Sequence, residues 1–213
     1  MSKLSKRLMA SLLVRTEADN IEQYDQRKRV LFADLAGTIL EIGPGAGVNL
    51  RYVPADCRWI GIEPNERLHP HLRARADQFG IDADIRTGMS EDTDVPHASV
   101  DVVISTLVMC SVADVDQTLA ETVRVLRPGG RFLFIEHVVD TINPFRRAVQ
   151  KTVPYTPWRL FSDGCNPGRD LAGAIERAGF ADVDIERYMH ARPGIIPMVI
   201  RPHIVGVATK AIN

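Results

Sequence analysis

The chain has 213 residues, 45% hydrophobic and 25% charged, with a formal net charge of -1 and a pI near 6.6. That size fits a single domain, 1–213, whose core needs no staples, and the balanced charge argues against nucleic acid as a partner. Three widely spaced cysteines, Cys57, Cys110 and Cys165, form no CxxC pair; they predict reduced thiols in the cytoplasm, and neither a disulfide framework nor a metal site.

From Lys3 to Phe32 the pattern is helical, with Leu4, Leu8 and Leu12 at four-residue spacing and Leu13 beside them. The longest apolar run there, Met9 to Val14, is shorter than the roughly 7–15 residues of a signal-peptide core or the about 20 of a membrane span. Lys3, Lys6, Arg7 and Arg15 flank the leucines. Residues 1–35 therefore read either as a lid over a ligand pocket or as an interfacial helix making at most weak peripheral contact with an anionic membrane.

The period then switches. Thr38 to Ile42 and Trp59 to Ile62 are short β-rich runs, Glu66 to Phe79 reads as a helix, Asp84 to Arg86 is a weak strand and Val100 to Ile104 a strong one. Asp114 to Leu126 is an amphipathic helix that Pro128-Gly129-Gly130 stops with a turn, and Arg131 to Val138 is a buried strand. A Pro- and aromatic-rich segment follows, Asn143 to Phe161, then a helix from about Arg169 to Ala178 and β-like runs at Val183 to Met189 and Pro197 to Val207. Strands alternating with helices predict an α/β fold with a mainly parallel sheet. Ligands of such sheets bind beyond the carboxyl ends of the strands, which here means just after Ile42, Ile62, Ile104 and Ile135.

Two motifs sit at those ends. The first strand runs into Glu41-Ile42-Gly43-Pro44-Gly45-Ala46-Gly47, where alternate glycines allow a sharp turn and close approach of a ligand. Val48 stands where a dinucleotide fingerprint wants glycine, and no Gly-Lys-Ser/Thr follows, so a nucleoside-type ligand without a pyrophosphate fits best. The second strand ends in Glu63, whose ionised carboxylate can accept from two vicinal ribose hydroxyls.

With Gly88-Met89-Ser90-Glu91, Asp101-Val-Val-Ile-Ser105 and Leu126-Arg-Pro-Gly-Gly130, these motifs fall in the order and spacing of class I methyltransferases, which the chain resembles. Thr106-Leu-Val-Met-Cys-Ser-Val112, Glu136-His137-Val138, Asp163-Gly-Cys-Asn166 and Arg201-Pro-His-Ile204 are similar to the methyltransferase-like family of alkyl thiol S-methyltransferases. The resemblance implies a Rossmann-like seven-stranded sheet with an antiparallel last strand and helices on both faces, with S-adenosyl-L-methionine along its carboxyl edge. It divides the chain into a cofactor-binding core, 36–138, and a substrate-side half, 139–213. Gly43, Gly45 and Gly47 would lie by the methionine part, Glu63 by the ribose, Ser90 and Glu91 by the adenine, and Thr106 and Leu107 near the sulfonium, with Glu41 also among the cofactor-binding residues. Met89 departs from the Asp common in the class, and the chain starts without the hydrophobic anchor of the vertebrate thiol enzymes.

The implied reaction is in-line methyl transfer to a small acceptor, and alignment supplies much of the rate. A thiol needs little further help, since with a pKa near 8.5 a few per cent is already thiolate at neutral pH. Candidates for that help are His137, at the end of the fifth strand, and His203, Asp163 and Cys165 in the C-terminal half; His137 and Asp163 are the expected catalytic residues, although Asp163-Gly164 also reads as a turn. Direct transfer gives Cys165 no need to carry the methyl group. The alternatives are a lipophilic quinone-like acceptor, and a cofactor-binding subunit that has lost catalysis.

Overall fold

The computed structural model describes residues 10–11, 15, 17–156, 164–190 and 199–212. Its strands are β1 (Thr38–Ile42), β2 (Arg58–Ile62), β3 (Asp82–Arg86), β4 (Val100–Thr106), β5 (Leu126–His137), β6 (Asp182–Met189) and β7 (Pro202–Thr209). The helices are α1 (Glu17–Leu31), α2 (His69–Phe79), α3 (Val115–Val125), α4 (Pro144–Thr152) and α5 (Leu171–Arg177). One seven-stranded sheet has the order β3-β2-β1-β4-β5-β7-β6. Strands β1 to β5 pair in parallel, and β7 runs antiparallel to both β5 and β6. This is the Rossmann-like class I methyltransferase topology expected from the sequence.

Successive side chains of a strand point to opposite faces, and in the central strands both faces are apolar. Leu40, Ile42, Ile60, Val103 and Phe134 pack with Leu119 of α3 and Leu171 and Ile175 of α5. Ile39, Trp59, Val102, Ile104 and Leu133 pack on the other face with Leu72 and Ala76 of α2 and with Phe32 and Leu35 after α1. Helices thus cover both faces, as a parallel sheet requires.

Three local expectations change. Pro128-Gly129-Gly130 does not merely separate α3 from a strand: β5 already starts at Leu126, which pairs with Val100, while Val102 pairs with Arg131. The intervening residues bulge from the ladder, with Gly129 at φ 74. The segment from Asn143 contains α4, which begins with Asn143 Oδ1 accepting from the Arg146 backbone N–H and Pro144 in the first turn. Buried Gln150 docks this helix by donating to the Val138 and Val199 carbonyls and accepting from the Asp140 N–H. Finally, the run from Pro197 becomes a strand only at Pro202; Val199 and Ile200 are helical. At the N-terminus α1 supplies the expected helix, whereas Leu4, Leu8, Leu12 and Leu13 lie outside the described residues. No helix among the described residues is long and apolar enough to cross a membrane.

Candidate active site

At the end of β1, Gly43 and Gly45 take φ 59 and φ 60, and Gly47 takes φ 82, a region costly for any residue with a Cβ. A Cβ on Gly43 would also stand 2.8 Å from both methyls of Val108. The loop is stitched to β2 by Glu63: Oε2 accepts from the Gly45 N–H at 3.0 Å and Oε1 from the Asn65 N–H at 2.8 Å. A carboxylate oxygen has a further lone pair, so Glu63 can hold the loop and accept from a ribose at once. Ala10 is buried with Ala46 of the same loop and Leu68.

Glu41 reaches the site through a residue that sequence reasoning missed. Asn49 Nδ2 donates to Glu41 Oε1 at 2.8 Å and to Thr106 Oγ1 at 3.1 Å, bridging the ends of β1 and β4. Asn49 Oδ1 is buried with no hydrogen-bond partner among the described residues, an acceptor that a ligand's donor would satisfy. Trp59 Nε1 donates to Glu41 Oε2. Burial pushes Glu41 up to about 7 despite the bonds from Asn49 and Trp59, and pushes the enclosed Lys28 of α1 down to about 8 against the pull of Glu41. The signal in the sequence was Asn49 itself, a polar residue at the close of a glycine loop.

Beyond β3, a turn carries Ser90 and Glu91 beside the end of β2, where a Cβ on Gly88 would meet Ile62 Cγ2 at 3.2 Å. Ser90 Oγ lies 3.1 Å from Thr118 Oγ1 of α3. Glu91 accepts from the Ala113 and Asp114 backbone N–H groups, and from Ser90. Its carboxylate therefore ties this turn to the start of α3, and Met89 is half exposed next to it.

Leu107, directly after β4, is held at φ 60 by its N–H donation to the Ile135 carbonyl. Left-handed backbone at a non-glycine residue concentrates at functional sites. The loop that follows is clamped. Arg169 donates to the Met109 and Val112 carbonyls, the Asn166 N–H donates to the Cys110 carbonyl, and the Val108 N–H donates to Glu136 Oε1.

These bonds bring Cys110, His137 and Cys165 together from three separate connections. Their Sγ, ring-nitrogen and Sγ atoms lie within 4.8 Å of one another, and all three residues are buried. Cys165 Sγ is 3.2 Å from His137 Nε2, while His137 Nδ1 is buried with no partner among the described residues. The hydrogen bond from Cys165, with the nearby His137, holds the Cys110 thiol well below its ordinary value in spite of burial. Burial, the largest single influence, lowers His137, but the charge and hydrogen bond of Cys110 and the charge of Glu136 together outweigh it and the net shift is upward. The geometry is that of two buried thiols converging on one imidazole nitrogen. Glu136, fully buried next to it, is pushed up to about 7 by burial and by the Cys110 charge.

The other candidates separate. His203 pairs with His137 across the β5–β7 ladder, but its Nδ1 faces the Arg201 carbonyl and its Nε2 the Tyr24 hydroxyl. Burial drops it to about 3. Both ring nitrogens are committed, so His203 supports His137 and is not a free base. Asp163 lies outside the described residues. Sequence reasoning weighed Cys165 alone and passed over Cys110, because no short motif joins them.

Glu63→Ala is expected to weaken cofactor binding by about 1.5–3 kcal/mol, the range for losing charge-assisted hydrogen bonds. Glu63→Gln, which keeps one acceptor for the loop, should lose less. Calorimetry showing unchanged affinity in the alanine variant would remove Glu63 from the site.

Comparison with known proteins identifies the family. A methyltransferase domain model matches residues 40–134. The chain is 34% identical over 220 residues to thiol S-methyltransferase TMT1A of Homo sapiens, covering 98% of this chain and 88% of that protein. It is 32% identical to thiol S-methyltransferase TMT1B of Rattus norvegicus, covering 95% and 84%. A geranyl diphosphate methyltransferase solved with its substrate and sinefungin shares the fold at a TM-score of 0.70 and 16% identity, over 88% of this chain and 78% of that one. The chain therefore belongs to the class I S-adenosylmethionine-dependent methyltransferases, in the family of the thiol S-methyltransferases.

Proposed function

We propose that this enzyme methylates the sulfur of small, diffusible cytoplasmic thiols, with residues 36–138 holding S-adenosylmethionine and 139–213 completing the acceptor side. The residues at the carboxyl edge fit that cofactor: a glycine loop crowded at Gly43 and Gly47, a nearly buried carboxylate at Glu63, and Asn49 Oδ1, which has no partner among the described residues. When bound, the cofactor supplies a methyl group on a positively charged sulfur, and the charge is lost on transfer.

The observation that carries the thiol reading is the Cys110–His137–Cys165 centre at the ends of β4 and β5. A positively charged neighbour stabilises a thiolate. His137, whose Nδ1 has no partner among the described residues, can take the proton of an acceptor thiol, and alignment supplies the rest. An alcohol or ring carbon would gain much less from such a centre. The printed names of the human and rat relatives support the same reading. A titration with labelled cofactor, followed by a screen of thiols, phenols and quinols, tests it. Label on sulfur is the expected result. Label only on a phenol or quinol would replace the thiol by a lipophilic ring acceptor, and tight cofactor binding with no transfer would make the chain a non-catalytic subunit.

The N-terminal segment is read here as a lid. Ala10 against Ala46 and the enclosed Tyr24 and Lys28 of α1 support this, since they lie against the glycine loop, His203 and Glu41. Deleting residues 2–15 should lower turnover on a soluble thiol and leave vesicle co-sedimentation nil before and after. Full activity with loss of binding to anionic vesicles would favour the interfacial helix instead.

A further inference from the structure

We propose that Cys110, His137 and Cys165 form a three-ligand site for a divalent thiophilic cation, Zn²⁺, whose fourth position receives the acceptor thiol. The proposal rests on the thiol reading for the role of the fourth position, and on the donor geometry for the site itself.

Two sulfurs and an imidazole nitrogen are the donor set that zinc takes, and three protein ligands with one open position mark catalytic rather than structural zinc. A tetrahedral zinc with Zn–S near 2.3 Å and Zn–N near 2.0–2.1 Å needs ligand–ligand separations of about 3.5–3.8 Å. The three atoms already lie within 4.8 Å of one another, with Cys165 Sγ and His137 Nε2 at 3.2 Å. Side-chain adjustments of under about 1 Å reach that shape. No fourth His, Cys, Asp or Glu among the described residues joins the group.

The surroundings fit a cation site as well. Glu136, directly before His137 and itself buried, holds the start of the Cys110 loop by accepting from the Val108 N–H at Oε1. The Cys110 loop is fixed by Arg169 and the Asn166 N–H, so the ligand arrives pre-positioned. Cys57 provides an internal contrast: it is buried among Phe32, Leu35 and Trp59 on the other side of the sheet, with no second thiol or histidine in that cluster.

The role follows from ordinary zinc–thiol chemistry, since a thiol that coordinates a metal is deprotonated. The acceptor R–SH binds at the open position and its proton leaves to water. A lone pair of the bound thiolate sulfur then forms the new S–CH₃ bond, while the bond from the methyl carbon to the sulfonium sulfur breaks and its electron pair stays on that sulfur as a neutral thioether. The product R–S–CH₃ is uncharged and a poor zinc ligand, so it departs.

Cobalt substitution tests the site without relying on turnover. The full-length protein, stripped with chelator and titrated with Co²⁺, should show visible bands of tetrahedral cobalt and an ultraviolet thiolate-to-cobalt band at one equivalent, and Zn²⁺ should displace it. Cys110→Ser, Cys165→Ser and His137→Gln should each weaken Co²⁺ binding by a hundredfold or more, beyond the 10–100-fold seen for outer-shell changes, whereas Cys57→Ser should leave it unchanged. Absence of the thiolate-to-cobalt band, or equal binding by Cys110→Ser and Cys165→Ser variants that remain folded by circular dichroism, overturns the site. Adding a small thiol should shift the visible bands; unshifted bands overturn the role of the fourth position. Thiol methylation at an unchanged rate in the stripped protein sinks the metal and leaves the thiol reading standing. A cobalt site with no thiol ever methylated does the reverse.

Discussion

Gly45→Val is expected to abolish binding of S-adenosylmethionine. Gly45 holds φ 60, where a β-branched residue costs roughly 1–2 kcal/mol in backbone alone. Its N–H also donates to Glu63 Oε2, so a shift of the loop to relieve the strain would move the carboxylate proposed to receive the ribose. The added methyls would further occupy the space through which the backbone approaches the ligand. Gly45→Ala carries the strain with less bulk and should bind more weakly than the wild type while keeping its circular dichroism spectrum. If the valine variant folds and binds at wild-type affinity by calorimetry, the glycine segment is only a turn.

His137→Ala should divide acceptors by their acidity. Toward a weakly acidic alkyl thiol, kcat/KM should fall by about a hundredfold or more, the lower end of what a positioned proton-handling group contributes. Toward an acidic aryl thiol, already ionised in solution, the loss should stay below about tenfold. The contrast arises because His137 lies at the end of β5 with Nε2 on Cys165 and Cys110 beside it, so the centre acts on the ionisation of sulfur. Equal losses across a graded acceptor series would mean that His137 only positions substrate or supports the fold.

The sheet was legible because its signal is local. Thr38–Ile42, Arg58–Ile62 and Val100–Thr106 are mostly buried on both faces, and their short β-rich runs are legible as buried parallel strands. The amphipathic helix read from Asp114 is α3, and the structure adds the cap: Asp114 Oδ1 accepts from the Gln117 N–H. Helix α4 stayed hidden in a segment that reads only as Pro- and aromatic-rich, although Pro144 at the first turn starts a helix. The glycine bulge in β5 was read as a turn for a related reason: sequence shows Pro-Gly-Gly, but only the pairing partner, here Val100 and Val102, decides whether the chain leaves the sheet.

Site residues divide in the same way. Gly43, Gly45 and Glu63 announce themselves within a single βαβ unit. Asn49 needed the Glu41 and Thr106 partners to acquire a role. Cys110, His137 and Cys165 share no short motif, and their convergence is made by Arg169, Asn166 and the β5–β7 register. A rule that searches for CxxC necessarily misses a centre assembled by tertiary contacts.

The central claim, that cofactor and thiol meet between Glu63 and the Cys110–His137–Cys165 centre, is tested most directly by a crystal structure with S-adenosylhomocysteine and a small thiol bound together. The predicted result has the ribose hydroxyls on the Glu63 carboxylate and the thiol sulfur at the Cys110–His137–Cys165 centre, facing the cofactor's sulfur. A nucleoside bound away from Glu63, or a thiol sulfur seated elsewhere than this centre, would contradict the account.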